Sequence, residues 1–543
     1  MGRVNEGFGA LYVGVAAAMY FKPEYAFYDS RIVTVAVLFS ILTVSRILYQ
    51  VVLYPELFTP LKHIPAPAGR SLLTGHGYTN VFQTPYERML GWVKTIPNDG
   101  LIRFYGIGNL ERVLLTSPKA LSELLVTKVY DFEKPGPVRD NLRRVTGDGI
   151  LLAEGDEHKL QRKNLMPAFA FRHIKDLYPI FWAKSVEMVK RIDMDLAQRK
   201  PEEDNTVQIR NWASRATLDI IGVAGMDQDF DSLRDPSNPL SLGYKKIFTP
   251  PGFFTKILIV ISILLIPGKY MQKLPTKRNK DINEGGETIR NVARQTIRQK
   301  KEKMKDPDAQ QSVDIISVAL RSGTFDEENL VDQLMTFLGA GHETTATALQ
   351  WAVYALCKNP DVQTRLREEV RANLPSVSTE DPDPINASMV DNLPYLNAVC
   401  NEILRFHPSV PTTLRAAARD TSLVGHPIPK GTIMIIAPEV TNHMKELWGP
   451  DAEEFNPDRF MGPGKANTGG ATSNYAFLTF LHGPRSCIGQ KFAQSELACL
   501  LAAMVGHFQM ELKFPDAKLE VRESATVSPK DGVLAKLTPL EGW

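Results

Sequence analysis

Two apolar runs open the chain, Phe8 to Phe21 and Ile32 to Pro55, parted by the polar stretch Lys22 to Arg31. The hydrocarbon core of a bilayer is about 30 Å thick, and a helix needs ~20 residues to cross it. The second run is long enough, so its main span is read as residues 32–54 within an anchor region of residues 1–60. Its one charge, Arg46, lies near an end of the run, where a long side chain reaches the interface of a tilted helix. The first run holds 14 residues and is a second short span, an interfacial helix or one arm of a hairpin. No small-residue cleavage site followed by soluble sequence marks a removable signal.

Beyond the runs, Pro65 and Pro67 enforce extended backbone before Gly69, as in a hinge or an incidental surface loop. Alternating apolar positions from Ile102 to Leu115, folded about Gly106 to Gly108, predict a β-hairpin. Ser117-Pro118 opens a helix through about Val126. The stretch Phe132 to Gly155 reads as a loop. The apolar run Ile257 to Ile266, inside Phe248 to Leu274, is too short to span and is a buried helix or an interfacial element. A charged helix over Thr288 to Lys305 and a loop over Asp306 to Gln311 follow. Leu330, Leu334, Phe337, Leu338, Leu349 and Val353 keep helical spacing and predict one long helix from about Asp326 to Lys358. Within it, Ala340 to Thr345 introduces a glycine and two β-branched hydroxyl residues, an interruption where something approaches the backbone closely.

Composition adds exclusions. Lysine plus arginine number 63 against 61 acidic residues, a balance of +2, which gives no electrostatic case for a nucleic-acid partner. No Gly/Ser-rich or charged linker divides residues 61–543, which read as one catalytic domain. The four cysteines, Cys357, Cys400, Cys487 and Cys499, lack metal-ligand spacing and fit a reducing compartment. Three of them lie in apolar helical contexts and are core residues.

Cys487 differs. It lies in the run Phe480-Leu-His-Gly-Pro-Arg-Ser-Cys-Ile-Gly489, just before apolar positions at helical spacing, Phe492, Leu497, Leu500 and Leu501. A sulfur at a helix N-terminus is favoured as thiolate, the metal-binding form, and Arg485 adds a cation suited to an anionic cofactor group. The alternative from these residues alone is a buried structural cysteine. Phe480, Gly483, Arg485, Cys487 and Gly489 match the haem signature Phe-x-x-Gly-x-Arg-x-Cys-x-Gly, and the chain resembles the cytochrome P450 family. The resemblance implies the P450 fold, mainly α with a smaller β portion, a haem b cofactor contacted by Phe480, Arg485 and Gly489, and Cys487 as the thiolate ligand of its iron.

Other stretches match in the family's order. Ala340-Gly341-x-Glu343-Thr344 resembles the oxygen-activation motif, which implies Thr344 as hydrogen-bond donor during oxygen activation and Glu343 as proton relay. His158 and Arg162 share a helix face ahead of Pro167 to Phe169; they form a solvated charged face or, by resemblance, contact haem propionates, with Lys159 and Lys163 facing an acidic electron donor. Arg415 is a further propionate contact by the same resemblance. Glu402 and Arg405, three apart, are an ordinary surface pair or, with Arg459 of Phe455 to Phe460, a buried ion network.

The implied activity is monooxygenation of a lipophilic small molecule with O2. The chain has no Gly-x-Gly-x-x-Gly after a strand, so electrons come from a separate NADPH-cytochrome P450 reductase. The resemblance is to microsomal members, which implies attachment to the endoplasmic reticulum membrane with the catalytic domain facing the cytoplasm, and to fungal members that tailor secondary metabolites. Two rivals are a haem-thiolate isomerase or dehydratase without net oxygen insertion, opposed by the intact Glu343-Thr344 pair, and a membrane-anchored binding protein with a vestigial haem site, opposed by the complete cysteine motif.

Overall fold

A computed structural model describes residues 2–72, 74–76, 85–200, 204–249, 252, 268–306, 314–379, 385–523 and 525–543. The mid-chain apolar run 257–266 and most of the loop 306–311 lie outside the described residues. The chain divides into two compact units, one of residues 1–137, 251–274 and 413–436, the other of residues 138–250, 275–412 and 437–543.

The first unit begins with helix α1 (Gly2–Phe21) and helix α2 (Arg31–Leu48). Helix α2 continues into a wider-turned segment, Tyr49–Phe58, around Pro55. Proline has no N–H for the helical ladder and crowds the preceding turn, which favours the looser winding there. Among the described residues, Arg31–Phe58 is the one stretch long and apolar enough to cross a membrane by itself.

The unit's main sheet contains β1 (Leu101–Tyr105), β2 (Glu111–Leu115), β3 (Phe132–Glu133), β4 (Thr413–Ala417) and β5 (Ile433–Ile436), in the order β1-β2-β5-β4-β3. The hairpin expected from alternation is present, with Leu101 opposite Leu115 and Tyr105 opposite Glu111. The expected loop after Phe132 is instead β3 followed by a helix over Gly136–Thr146. Pro137 suits a first helical turn, and Val138, Leu142 and Val145 do keep helical spacing, but three apolar points among many charges are a weak signal.

The second unit is helical: α3 (Gly155–Leu165), α4 (Tyr178–Ala197), α5 (Ile209–Met226), α6 (Pro239–Phe248), α7 (Lys277–Lys303), α8 (Glu327–Lys358), α9 (Pro360–Asn373), α10 (Pro394–Phe406) and α11 (Gln490–His507). A smaller sheet joins the strand Thr206–Gln208 to β9 (Leu534–Pro539) and β6 (Phe508–Leu512), and a hairpin pairs β7 (Val521–Glu523) with β8 (Val527–Pro529). Helix α7 starts eleven residues before the expected Thr288, capped by the Thr276 hydroxyl on the Asn279 N–H. Its early packing face is two glycines: a Cβ on Gly286 would lie 2.3 Å from the Arg144 carbonyl, and one on Gly285 2.9 Å from Ile247. Contact through bare backbone leaves no apolar periodicity to read.

Helix α8 begins where expected, with the Asp326 carboxylate accepting from the Asn329 N–H at 2.7 Å. It runs 32 residues through the core without the interruption expected at Ala340 to Thr345. The close approach is real but has another partner at Gly341, where a Cβ would stand 3.0 Å from Ile221 of α5. A small residue therefore serves a helix crossing there, and the ladder stays intact.

Candidate functional site

Residues 480–489 form a tight loop ahead of α11. Gly483, at φ +77°, begins a short turn through Arg485, and the Cys487 N–H donates to the Phe480 carbonyl at 2.9 Å, closing the loop. Helix α11 starts three residues after Cys487, with Gly489 as its cap. Gly489 offers its N–H to the Cys487 sulfur. Its own Cβ position is uncrowded, 3.9 Å from Phe169, so the backbone N–H is what matters here. Burial pushes the Cys487 thiol up, against the Gly489 N–H and the Arg162 charge. A cation coordinated by the sulfur would favour the thiolate. The residue nonetheless keeps an exposed surface.

Two arginines are fixed at that loop, with His158 on the helix that carries one of them. Arg162 of α3 reaches across 324 positions of sequence to donate from Nη1 to the Ser486 carbonyl at 2.7 Å and from Nη2 to the Ser486 hydroxyl at 3.2 Å. His158, one turn earlier on the same helix, is buried. Arg485 is 3% exposed and pairs with Glu154, the residue that caps α3. Arg415 belongs to the first unit, where it is buried on β4 and donates to the Leu414 carbonyl at 2.8 Å and the Thr413 hydroxyl at 3.2 Å. Lys159 is exposed and pairs with Asp156 at 2.7 Å, and Lys163 is exposed.

Helix α8, which packs against α11, carries Glu343 and Thr344. Glu343 is 6% exposed and accepts from the Thr526 hydroxyl at 3.2 Å, with Arg210 at 4.0 Å. Burial raises its carboxyl above the ordinary range, against Arg210, Arg522 and the Thr526 bond. The Thr344 hydroxyl donates to the Ala340 carbonyl at 2.8 Å, and the Thr344 carbonyl accepts from the Ser409 hydroxyl at 2.9 Å. Thr217 of α5 donates to the His342 carbonyl at 3.0 Å, fixing the turn before Glu343. Burial lowers His342 to about 4, so its ring, 4.2 Å from that of Tyr244, stays neutral.

An ion network braces the other side of the loop. Arg405 spends its guanidinium on Glu402, at 2.7 and 2.8 Å, and on the carbonyls of Asn442, Ala452 and Glu454. Arg459 lies 3.4 Å from Glu402 and 2.9 Å from Asp451. Asn442 joins this network to the Cys487 loop: it donates to the Arg405 carbonyl and the Thr479 hydroxyl and accepts from the Leu478 N–H, each at 2.9 Å.

Residues 100–536 match the family model for cytochrome P450. The chain belongs to the cytochrome P450 family. It is 62% identical over 543 residues, all of both chains, to cytochrome P450 monooxygenase sphH of Aspergillus fumigatus. It is 41% identical over 522 residues to cytochrome P450 monooxygenase FSL4 of Gibberella zeae, covering 93% of each chain, and 38% identical to FUM15 of Gibberella moniliformis, covering 92% of each. It is accordingly a P450 monooxygenase, an enzyme of a family that carries haem b and uses O2, a small-molecule substrate and a redox partner.

The residues present fit such a group. A soft sulfur stands at the head of a helix, and Arg162 and Arg485 supply fixed cations suited to carboxylate-bearing arms. Sequence reasoning did not find Glu154, Ser486, Asn442, Ser409, Thr526, Arg210 or Arg522. Each acts across a long separation as an isolated polar residue, and only the fold gives it a partner. Glu154 alone left a local clue, an acid at the start of α3.

Proposed function

We propose that this P450 inserts one oxygen atom from O2 into a lipophilic small molecule, by hydroxylation or epoxidation, in fungal secondary metabolism, with electrons from an NADPH-dependent reductase. Residues 1–60 anchor it in the endoplasmic reticulum membrane, and residues 61–543 form the catalytic domain on the cytoplasmic side. The kinship with fungal monooxygenases over the whole chain supports the setting.

In this reading Cys487 is the thiolate ligand, held by the Phe480 carbonyl behind it and the Gly489 N–H in front. When bound there, haem b supplies oxygen activation backed by electron donation from sulfur. His158, Arg162 and Arg485 bind its propionates, and Phe480 and Gly489 shape the sulfur side. Glu343 holds a proton inside the protein: its burial favours the neutral acid, while Arg210, 21% exposed, links that acid to solvent. Thr344 carries a hydroxyl donor, resting here on the Ala340 carbonyl, that is free to swing to another acceptor.

The observation that carries oxygen insertion is the intact Glu343-Thr344 pair, with the carboxyl buried and hydrogen-bonded to Thr526. An isomerase or dehydratase has no need of a proton relay for dioxygen. The test supplies the full chain in vesicles with an NADPH-dependent reductase, a metabolite extract of the producing organism and isotopically labelled O2. One labelled oxygen in the product is expected. A product formed without label or NADPH consumption decides for the rival.

A further inference from the structure

We infer that α1 and α2 cross the bilayer together as an antiparallel hairpin, so that Gly2 and the catalytic body lie on the same side of the membrane. The inference rests on the proposal that residues 1–60 are a membrane anchor and adds its topology. Among the described residues only Arg31–Phe58 crosses by itself, so α1 crosses as its partner. Helix α1 has 20 residues, about 30 Å at the helical rise, and its Gly7–Phe21 stretch is apolar throughout; α2 has 18 residues and continues to Phe58.

The two helices are partners. Tyr12 and Thr43 share a hydrogen bond of 2.8 Å, and the Tyr12 ring meets Phe39 edge-on at 5.0 Å. Water is absent at that depth of a bilayer, so two hydroxyl groups that satisfy each other suit a helix pair there. Ser40 likewise bonds within its own helix, to the Ala36 carbonyl at 2.7 Å. Met19 and Thr34 are buried between the arms, whereas Leu11, Val13, Val37, Ile41, Val44 and Leu48 point outward and are exposed. That outward face is too large an apolar surface to leave in water and suits acyl chains.

The return between the arms is built rather than loose. The Phe27 N–H donates to the Thr34 hydroxyl at 2.6 Å, Thr34 donates to the Ser30 carbonyl at 3.0 Å, and Ser30 caps α2 at Val33. Tyr28 and Asp29 take left-handed backbone to complete the reversal. Aromatic side chains crowd this end, with Tyr20, Phe21, Tyr25, Phe27 and Tyr28 from 51% to 96% exposed, as at a membrane interface. Charge orients the hairpin. Lys22 and Arg31 stand at the return, with Glu24 and Asp29; Arg3, Arg46, Lys62 and Arg70 stand toward the open end, with Glu6 and Glu56, the latter paired with Arg70. The richer lysine and arginine side faces the cytoplasm.

The test expresses the full chain in microsomes with a glycosylation-acceptor cassette placed before Gly2 or between Tyr25 and Ala26. The chain's own acceptor, Asn386-Ala387-Ser388, reports the catalytic body. Modification of the Tyr25–Ala26 cassette alone is expected, together with protease digestion of an epitope tag before Gly2 in sealed vesicles. Modification of both cassettes means that α2 crosses alone and overturns the hairpin. Modification of neither, in a chain that resists alkaline carbonate extraction, means that the return stays inside the bilayer or on the cytoplasmic side, and overturns it equally. Release by carbonate removes the anchor reading itself, which separates the two failures.

Discussion

The guanidinium of Arg405 holds both oxygens of Glu402, at 2.7 and 2.8 Å, where neither side chain has any solvent exposure. A buried charge left without its partner costs about 3–5 kcal/mol. Glu402→Gln removes the charge that Arg405 and Arg459 share, and a loss of that size is expected in denaturant unfolding of the detergent-solubilised protein. A change under about 1 kcal/mol, the scale of an exposed pair, contradicts the network described here.

Asn442→Ala strips partners from the Arg405 carbonyl, the Leu478 N–H and one side of the Thr479 hydroxyl. Leaving a buried polar group unsatisfied costs about 1–3 kcal/mol. Because Leu478 and Thr479 lead directly into the Cys487 loop, haem should also leave this variant faster than it leaves the parent. Transfer to an excess of apomyoglobin measures that rate, and an unchanged rate removes Asn442 as the brace.

Glu343 has its folded pKa raised by burial, only partly offset by Arg210, Arg522 and Thr526. A carboxyl of this kind adds stability that is complete below its unfolded pKa, about 4.3, and is lost as pH rises through the higher folded value. Glu343→Gln should therefore gain stability over the parent as pH climbs from about 4 toward neutrality, while product formed per NADPH falls. Arg210→Met should steepen the loss in the parent's curve. Thermal midpoints across that range decide it; parallel curves for parent and Glu343→Gln leave no shifted carboxyl.

His507 offers one ring nitrogen to Trp543 at 2.9 Å and the other to Asp193 at 2.5 Å, and both partners are acceptors. Burial pulls its pKa down, but these two bonds outweigh it and the net shift is upward. The stabilisation is complete below the ordinary value of about 6.5 and fades as pH rises through the elevated one. Asp193→Asn should thus lower the thermal midpoint most in mild acid and least in alkali. The opposite trend would show a neutral ring.

The fold class and the site's backbone were legible because their signals are local. Cys487, Gly483 and Arg485 sit within five positions of one another, and α8 carries both an N-cap at Asp326 and a long apolar periodicity. The early start of α7 was not legible, because its contact face is Gly285 and Gly286. Gly341 was read rightly as a close approach, yet its neighbour, Ile221, lies 120 positions upstream, and sequence alone names no partner at that range. The partners of Glu343 come from two separate segments, Arg210 and the hairpin that holds Arg522 and Thr526, and neither carries a motif.

The account rests on Cys487 as the iron's sulfur ligand. The reduced, carbon monoxide-treated spectrum of the full chain, set beside that of Cys487→Ala, tests this most directly. The parent should show the red-shifted band of a thiolate-ligated haem, and Cys487→Ala should lose it. A band that survives in Cys487→Ala, or that is missing from a haem-loaded parent, contradicts the assignment.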